Sequence, residues 1–185
     1  MKGHHLILGE LSDTITGETL QDTHDERYRQ KIAALLVNEK GFSRREIKPR
    51  LPLKIKAGEK CAVIPVDFGI YLDETCCMLI KYGPGSLVTR HRPALAASRL
   101  LVAYQIPVVV VTNGVETDVL DGHTGKITAR GFDGIPDRAA LLQRVEGVHF
   151  TPVHPARAEK ESRIAYAFEV DGSCPCDDTI CKITG

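Results

Sequence analysis

Tryptophan is absent from the 185-residue sequence, and aromatic residues make up only 5% of it. Single-stranded nucleic acids are commonly held by bases stacking on aromatic side chains, so this scarcity argues against such a platform. Net charge is absent too, because 24 Lys and Arg residues balance 24 Asp and Glu residues. A general nucleic-acid binder carries a broad positive field, so any such role must depend on a local surface.

Long hydrophobic runs are also missing. The longest aliphatic run is 108–111, far short of the roughly 20 apolar residues that span a membrane. The N-terminus lacks the apolar stretch of a signal peptide. We therefore expect a soluble, cytoplasmic protein with no membrane partner. The hydrophobic content of 43% and the length indicate a single domain with a substantial core.

Apolar periodicity predicts the element order α, β, β, β, α, β. The first helix follows Thr23, and three strands come after it. The second strand is expected to place five apolar residues on one face: Ala62, Ile64, Val66, Phe68 and Ile70. A second helix near 92–104 leads into a strand at 107–112 that is apolar on both sides, which is typical of a buried strand. We therefore expect an α/β fold with a mixed sheet flanked by helices.

Three short stretches share the spacing of a known family: 26–30 (ERYRQ), 66–70 (VDFGI) and 110–114 (VVTNG). Together they resemble the N-terminal domain of type I restriction enzyme R proteins (HSDR_N), within the PD-(D/E)xK nuclease superfamily. The resemblance implies a restriction-endonuclease-like αβββαβ core and a Mg²⁺-dependent DNA-cleaving ancestor. The expected organisation is an N-terminal extension over 1–20, a nuclease-like domain over 21–150, and a C-terminal helix with a Cys-rich tail over 151–185.

Phosphodiester hydrolysis needs a hard cation on oxygen ligands and a nearby positive charge. The resemblance places the first acid on Asp67 and the lysine on Lys81, and makes Glu26 an outer ligand. The second acid falls on Leu79, which cannot bind Mg²⁺. The second core helix of the family often carries Gln and Tyr, and here these positions are Ala96 and Leu100. We therefore expect cleavage to be lost or reduced.

Each of these polar residues also has a purely structural interpretation. Thr23 and Glu26 form a Thr-x-x-Glu pattern, which is the sequence of a helix capping box. Asp67 lies in an otherwise apolar strand and needs a partner there. An ion pair between Asp67 and Lys81 would supply one without any metal.

The segment 44–60 carries seven basic residues against two glutamates. A basic hairpin can contact phosphates without reading base sequence. The alternative is a solvated strand face whose lysines protect a sheet edge. The candidate DNA-binding residues are Arg44, Arg45, Lys48, Arg50, Lys54 and Lys56.

Three of the six cysteines, Cys174, Cys176 and Cys181, lie within the last 12 residues. This C-x-C-x4-C spacing suits a thiophilic metal, which we take to be Zn²⁺, or an iron–sulfur cluster like that of some nuclease relatives. The alternatives are free thiols or disulfides. A fourth ligand would come from elsewhere in the sequence: Cys61, Cys76, Cys77, His149 or His154.

Three functions remain open at this point. The first is a nuclease-fold DNA-binding or regulatory module with degenerate catalysis, acting alone or with another protein subunit. The second is an active Mg²⁺- or Mn²⁺-dependent DNA endonuclease with a rearranged site. The third is a metal-binding protein-interaction module.

Overall fold

The computed structural model describes residues 7–172 and 180–183, and this part of the chain holds nine strands and four α-helices. The strands are β1 (Glu10–Ser12), β2 (Thr19–Gln21), β3 (Ile47–Ala57), β4 (Lys60–Leu72), β5 (Thr75–Tyr82), β6 (Val108–Thr112), β7 (Thr117–Asp121), β8 (Ile127–Arg130) and β9 (Cys181–Ile183). The helices are α1 (His24–Asn38), α2 (Leu87–Ser98), α3 (Arg138–Val145) and α4 (Pro155–Tyr166), and α4 continues into a π-helical turn, Ala167–Asp171. Among these helices none is long and apolar enough to cross a membrane.

The main sheet has the order β3-β4-β5-β6-β7-β8, and β9 pairs separately with β4. All neighbours are antiparallel except β5 and β6, which are parallel and are connected through α2. A parallel pair requires such a crossover, since a short turn cannot return the chain to the same end of the sheet. The run α1-β3-β4-β5-α2-β6 is the αβββαβ core that the sequence predicts, so the fold class is confirmed.

Apolar side chains cover both faces of the sheet. On one face, α1 and α3 contribute Ile32, Leu36 and Leu141 to a cluster with Ile80. On the other face, α2 and α4 contribute a second cluster, in which Leu95 and Ala165 are buried with strand residues. We call these the α1 face and the α2/α4 face. A sheet with one helical layer on each side explains why β6 is buried over its whole length.

The expectation that the apolar residues of β4 share one face is wrong. Ile64 and Val66 lie in the cluster on the α2/α4 face, whereas Phe68 lies in the cluster on the α1 face. The alternation is interrupted between them, at Asp67. Opposite this point on β3, Arg50 has a φ of 50° and the recorded pairing skips from Pro49 to Leu51. Because both strands are irregular at this position, side chains of the same alternation lie on opposite faces of the sheet before and after it.

The second helix is also shifted from its expected position near 92–104. It begins at Leu87, directly after the turn 83–86, and ends at Ser98. The hydroxyl of Ser98 donates to the carbonyl of Leu95 at 2.9 Å, which competes with continuation of the helix. Leu100 and the next two residues lie beyond the helix but still pack on the α2/α4 cluster. They are apolar for that reason, and their spacing therefore resembled a continuation of the helix.

Candidate functional site

Asp67 lies where β4 and β5 stop pairing. The recorded register between the two strands ends at Phe68 and Ile80. Beyond that point the backbone N–H of Tyr82 donates to Oδ2 of Asp67 at 2.8 Å, and Arg29 Nε of α1 donates to Oδ1 at 2.7 Å. Asp67 is only 4% exposed. Both carboxylate oxygens therefore already have strong donors inside the protein.

Arg29 is the cation that neutralises this buried carboxylate. Its Nη1 also lies 3.5 Å from Glu26 Oε2. Burial favours the neutral guanidine and is the largest single effect, but the attraction of Asp67, followed by that of Glu26, outweighs it and raises the pKa of Arg29. Arg29 therefore stays charged, as the pairing with Asp67 requires.

Glu26 lies in the first turn of α1 and faces a second group of charges. The hydroxyl of Thr23 accepts from the backbone N–H of Glu26 at 3.1 Å, so the Thr23 half of the expected capping box forms. The Glu26 carboxylate itself accepts from Gln30 Nε2 at 2.9 Å and lies 3.7 Å from Arg50 Nη1. The same Arg50 atom donates to Asp13 Oδ2 at 2.6 Å. Glu26 is thereby linked to a residue of the N-terminal extension.

Asp13 is an acid that the sequence did not single out. It lies in the turn between β1 and β2, and its side chain is 1% exposed. Burial acts to raise the pKa of Asp13, but hydrogen bonds from the backbone N–H groups of Thr16 and Ile15 and from Arg50 together lower it. The pairing with Arg50 could not be read from the local sequence, because the two residues are 37 positions apart.

Lys81 does not pair with Asp67. Its Nζ donates to the backbone carbonyl of Pro65 at 2.9 Å and lies 3.2 Å from Glu169 Oε2, in the π-helical turn. Within the described residues, no ion pair joins Lys81 to Asp67, and that alternative is wrong. The reason is the irregularity at Asp67, since the Asp67 carboxylate meets α1 whereas Lys81 meets the turn after α4.

The position of the second acid is part of the hydrophobic core. Leu79 is 0% exposed and packs with α2 in the cluster on the α2/α4 face. Ala96, on α2, belongs to the same cluster and is also fully buried. A Mg²⁺ ion needs several oxygen ligands with free lone pairs. Leu79 offers none, and Asp67 is already bonded to Arg29 and Tyr82, so these residues do not fit the ion in this arrangement.

Tyr82 completes the arrangement at this end of β5. Its hydroxyl donates to Asp25 Oδ1 at 2.9 Å, and its ring stacks on Tyr28 with centroids 5.8 Å apart. Burial, followed by the hydrogen bond to Asp25, raises the pKa of Tyr82 well above its usual value. Arg29 lies over the ring, 5.3 Å from its centroid. The phenol is therefore a neutral hydrogen-bond donor.

A hollow of about 240 Å³ opens beside this site on α1. Its lining consists of four side chains, three of them basic: His24, Arg27, Tyr28 and Lys31. Lys31 Nζ lies 5.1 Å from the centroid of the Tyr28 ring. Gly114 packs closely against the same ring, because a Cβ there would come within 2.3 Å of it. We call this feature the α1 hollow.

A family model described as "Type I restriction enzyme R protein N terminus (HSDR_N)" matches residues 24–136, which is more than half of the chain. The chain belongs to this family. The matched segment runs from the first residue of α1 to the loop before α3, and so contains the whole αβββαβ core. No curated protein and no solved structure matches the chain.

The basic hairpin of this family member is divided between two faces. Lys48 lies over the ring of Tyr71, 4.0 Å from its centroid, and Tyr71 packs on the α2/α4 cluster. Lys54 and Lys56 are exposed and alternate with the buried Leu53 and Ile55 of that cluster, so they point to the opposite side. The irregularity at Arg50 separates the two groups.

The remaining basic residues of the hairpin differ in how accessible they are to a DNA phosphate. Arg44 and Arg45 are exposed on a short 3-10 helix before β3. Arg50 donates to Asp13 and is held among carboxylates, so it has a structural role. The exposed cations are therefore the most available candidate phosphate contacts on this hairpin, whereas Arg50 is already paired with carboxylates.

Two of the three C-terminal cysteines, Cys174 and Cys176, lie outside the described residues. Cys181 begins β9, whose register with β4 places Cys181 opposite Val63 and Ile183 opposite Cys61. The chain thus does fold back onto the domain next to Cys61. Cys76 and Cys77 are buried in β5, and burial raises the pKa of both thiols.

Proposed function

We propose that this member of the type I restriction R protein family is a DNA-binding or regulatory module in which cleavage has been lost. The observation that carries the proposal is that both carboxylate oxygens of Asp67 already accept hydrogen bonds within the protein. The donors are Arg29 and the backbone N–H of Tyr82. The position expected to hold the second acid is occupied by the buried Leu79. An internal guanidinium thus supplies the positive charge that a metal ion would bring to a catalytic carboxylate.

Two basic surfaces support the DNA-binding part of the proposal. The α1 hollow combines the partly buried ring of Tyr28 with the exposed His24 and Lys31 next to the Asp67 site. The second surface is formed by Lys54 and Lys56 on the exposed side of β3. Such cations bind phosphates with little regard to base sequence. Another protein subunit is a further partner that the family suggests.

The proposal is tested by measuring DNA binding and DNA cleavage on the same preparation. Binding of a labelled duplex is followed by fluorescence anisotropy at several salt concentrations. We expect Lys31→Gln and Lys54→Gln each to weaken binding and to reduce the slope of log K against log salt by about 1. Arg163→Gln is the matched control, because Arg163 is an exposed arginine of α4 paired with Glu159.

Cleavage is followed with supercoiled plasmid in Mg²⁺ and in Mn²⁺, and none is expected. Cleavage that disappears in Asp67→Asn would contradict the proposal and favour an active endonuclease with a rearranged site. If no DNA binding is detected even at low salt, the protein-interaction module is the better description.

We also propose that the C-terminal cysteines bind a thiophilic metal, with Cys61 as a further ligand. The pairing of β9 with β4 supports this choice over Cys76 or Cys77, because Cys61 lies in the strand segment that β9 joins. Two cysteines on neighbouring strands at a diagonal spacing suit a shared metal better than a direct disulfide, which requires a closer approach of the two backbones.

A further inference from the structure

A buried glutamate between α2 and α4 is surrounded by three arginines. Glu161 is 4% exposed. Its Oε2 lies 2.6 Å from Arg92 Nη1, and its Oε1 lies 3.0 Å from Arg99 Nη1 and 3.5 Å from Arg157 Nε. We call these four residues the arginine cluster. It lies on the α2/α4 face of the sheet, and α1 with its hollow packs on the opposite face.

The positive charge in this cluster exceeds the negative charge. Among the described residues, Glu161 is the only carboxylate within 4 Å of any of the three guanidinium groups. One negative charge therefore faces three positive charges. Burial, together with repulsion from Arg157 and Arg92, lowers the pKa of Arg99 although Glu161 acts in the opposite direction. The cluster therefore carries an excess of about two positive charges, which a bound anion could neutralise.

Some hydrogen-bonding groups of the arginine cluster also have no hydrogen-bond partner within the described part of the chain. All three guanidinium nitrogens of Arg99 already donate within the protein, to Gln105, Glu161 and Gly122. Arg92 Nη1 and Glu161 Oε2 are both buried but make no hydrogen bond within the described structure, because their close contact is not aligned for one. The side chains of Arg92 and Arg157 are 40% and 57% exposed, so their remaining N–H groups face solvent.

We infer that the arginine cluster binds a phosphate dianion, either free inorganic phosphate or the terminal phosphate of a small phosphomonoester. Arginine suits this ligand because its planar guanidinium donates two parallel hydrogen bonds to neighbouring phosphate oxygens. A dianion matches the charge excess, whereas a backbone phosphodiester carries a single charge. Arg92 and Arg157 supply the donors, and Arg99 and Glu161 hold the two helices that carry them.

The test compares thermal unfolding in potassium phosphate with unfolding in potassium chloride of equal ionic strength. For the unmodified protein we expect phosphate to raise Tm by about 3 °C. Arg157→Gln should lose most of this rise, because the substitution removes the most exposed guanidinium. Arg163→Gln, which removes a charge from the same helix but outside the cluster, should keep all of it.

Glu161→Gln provides an independent check. This variant should be less stable than the unmodified protein in chloride, because three arginines are left without a carboxylate. Phosphate should then raise its Tm by more than it raises that of the unmodified protein. AMP is added as a second probe. A larger rise with AMP than with inorganic phosphate assigns the site to a phosphomonoester, and an equal or smaller rise assigns it to free phosphate.

Three outcomes would overturn the inference. The first is the absence of any phosphate-specific rise in the unmodified protein. The second is a rise that Arg157→Gln retains in full. The third is an equal, Arg157-dependent rise with an oligonucleotide bearing 5′- and 3′-hydroxyl ends, which would make the cluster a contact for DNA phosphodiesters.

Discussion

Lys81 donates a hydrogen bond from Nζ to the backbone carbonyl of Pro65, at 2.9 Å. Pro65 lies in a stretch of β4 between the segment that pairs with β5 and the segment that pairs with β9. In the same stretch, the backbone N–H of Tyr82 donates to the Asp67 carboxylate. Buried backbone groups without a partner strand need another partner. The acid and the lysine of the nuclease pattern therefore satisfy the backbone where two strands separate.

Removing the cation beside Asp67 should destabilise the protein. Arg29→Gln leaves a carboxylate that is 4% exposed without its ion pair, and we expect the free energy of unfolding to fall by about 3 kcal/mol. Urea denaturation measures this change. Arg27→Gln is the matched control on the same helix, because Arg27 is exposed and pairs with Asp22 at the surface. Equal effects of the two substitutions would mean that the Asp67 pair has no special role.

Restoring the missing acid should not restore cleavage. Leu79→Glu places a carboxylate among the apolar side chains of the α2/α4 face, and we expect a loss of about 3 kcal/mol or more with no nicking of supercoiled plasmid. Leu79→Met conserves the volume and should cost less than about 1.5 kcal/mol. Plasmid nicking by Leu79→Glu would show that the remaining residues still form a working site.

Stability should fall in acid because of Asp13. Its pKa is lowered in the folded protein, so its contribution is present above the ordinary carboxyl pKa of about 4 and is lost as the pH falls through the lowered value. Urea denaturation across this range should show a shallower loss for Asp13→Asn than for the unmodified protein. Glu59→Gln, in the exposed turn between β3 and β4, should follow the unmodified protein.

The two buried cysteines should be unreactive in the native state. Burial raises the pKa of the Cys76 thiol to about 12, so almost no thiolate is present at pH 8. Titration with a thiol reagent should give the same native count for Cys76→Ser as for the unmodified protein. In denaturant, the count for Cys76→Ser should be lower by one. A fall in the native count would show that β5 opens to solvent.

The metal proposal is checked by elemental analysis of freshly purified protein. We expect close to one equivalent of zinc, or iron in a stoichiometric cluster. Cys174→Ser and Cys61→Ser should both reduce the metal content, and Cys77→Ser should not, because Cys77 is buried on β5. Full retention of metal in Cys61→Ser would remove Cys61 from the ligand set, and metal-free unmodified protein would exclude the site.

Local features of the sequence were sufficient for the order of the αβββαβ core and for the start of α1, but not for β1, β2 and β9. Thr23 caps that helix through a contact three residues away, and the turn between β4 and β5 is made by Asp73 and Glu74, both at positive φ. Such features depend on neighbouring residues alone. They can therefore be recognised without knowledge of the fold.

The pairings within the site depend on distant residues and could not be read from the sequence. Lys81 meets Glu169, 88 positions away, and Asp67 meets Arg29, 38 positions away. Strand alternation predicts facing side chains only while the strand is regular, and β4 is irregular at Asp67. Arg29 was within reach of prediction, because it lies one helical turn after Glu26, which the family pattern includes.

The β3–β4 hairpin joins residues that are close in sequence, yet segments from both far ends of the described chain close onto it. Asp13 bonds to Arg50 on β3, and β9 pairs with residues 61–63 of β4. Contacts of short sequence separation form early in folding, whereas those that close long loops form late. The hairpin is thus suited to act as an early folding nucleus, and the β1–β2 hairpin and β9 are expected to dock onto it in the last, slowest steps.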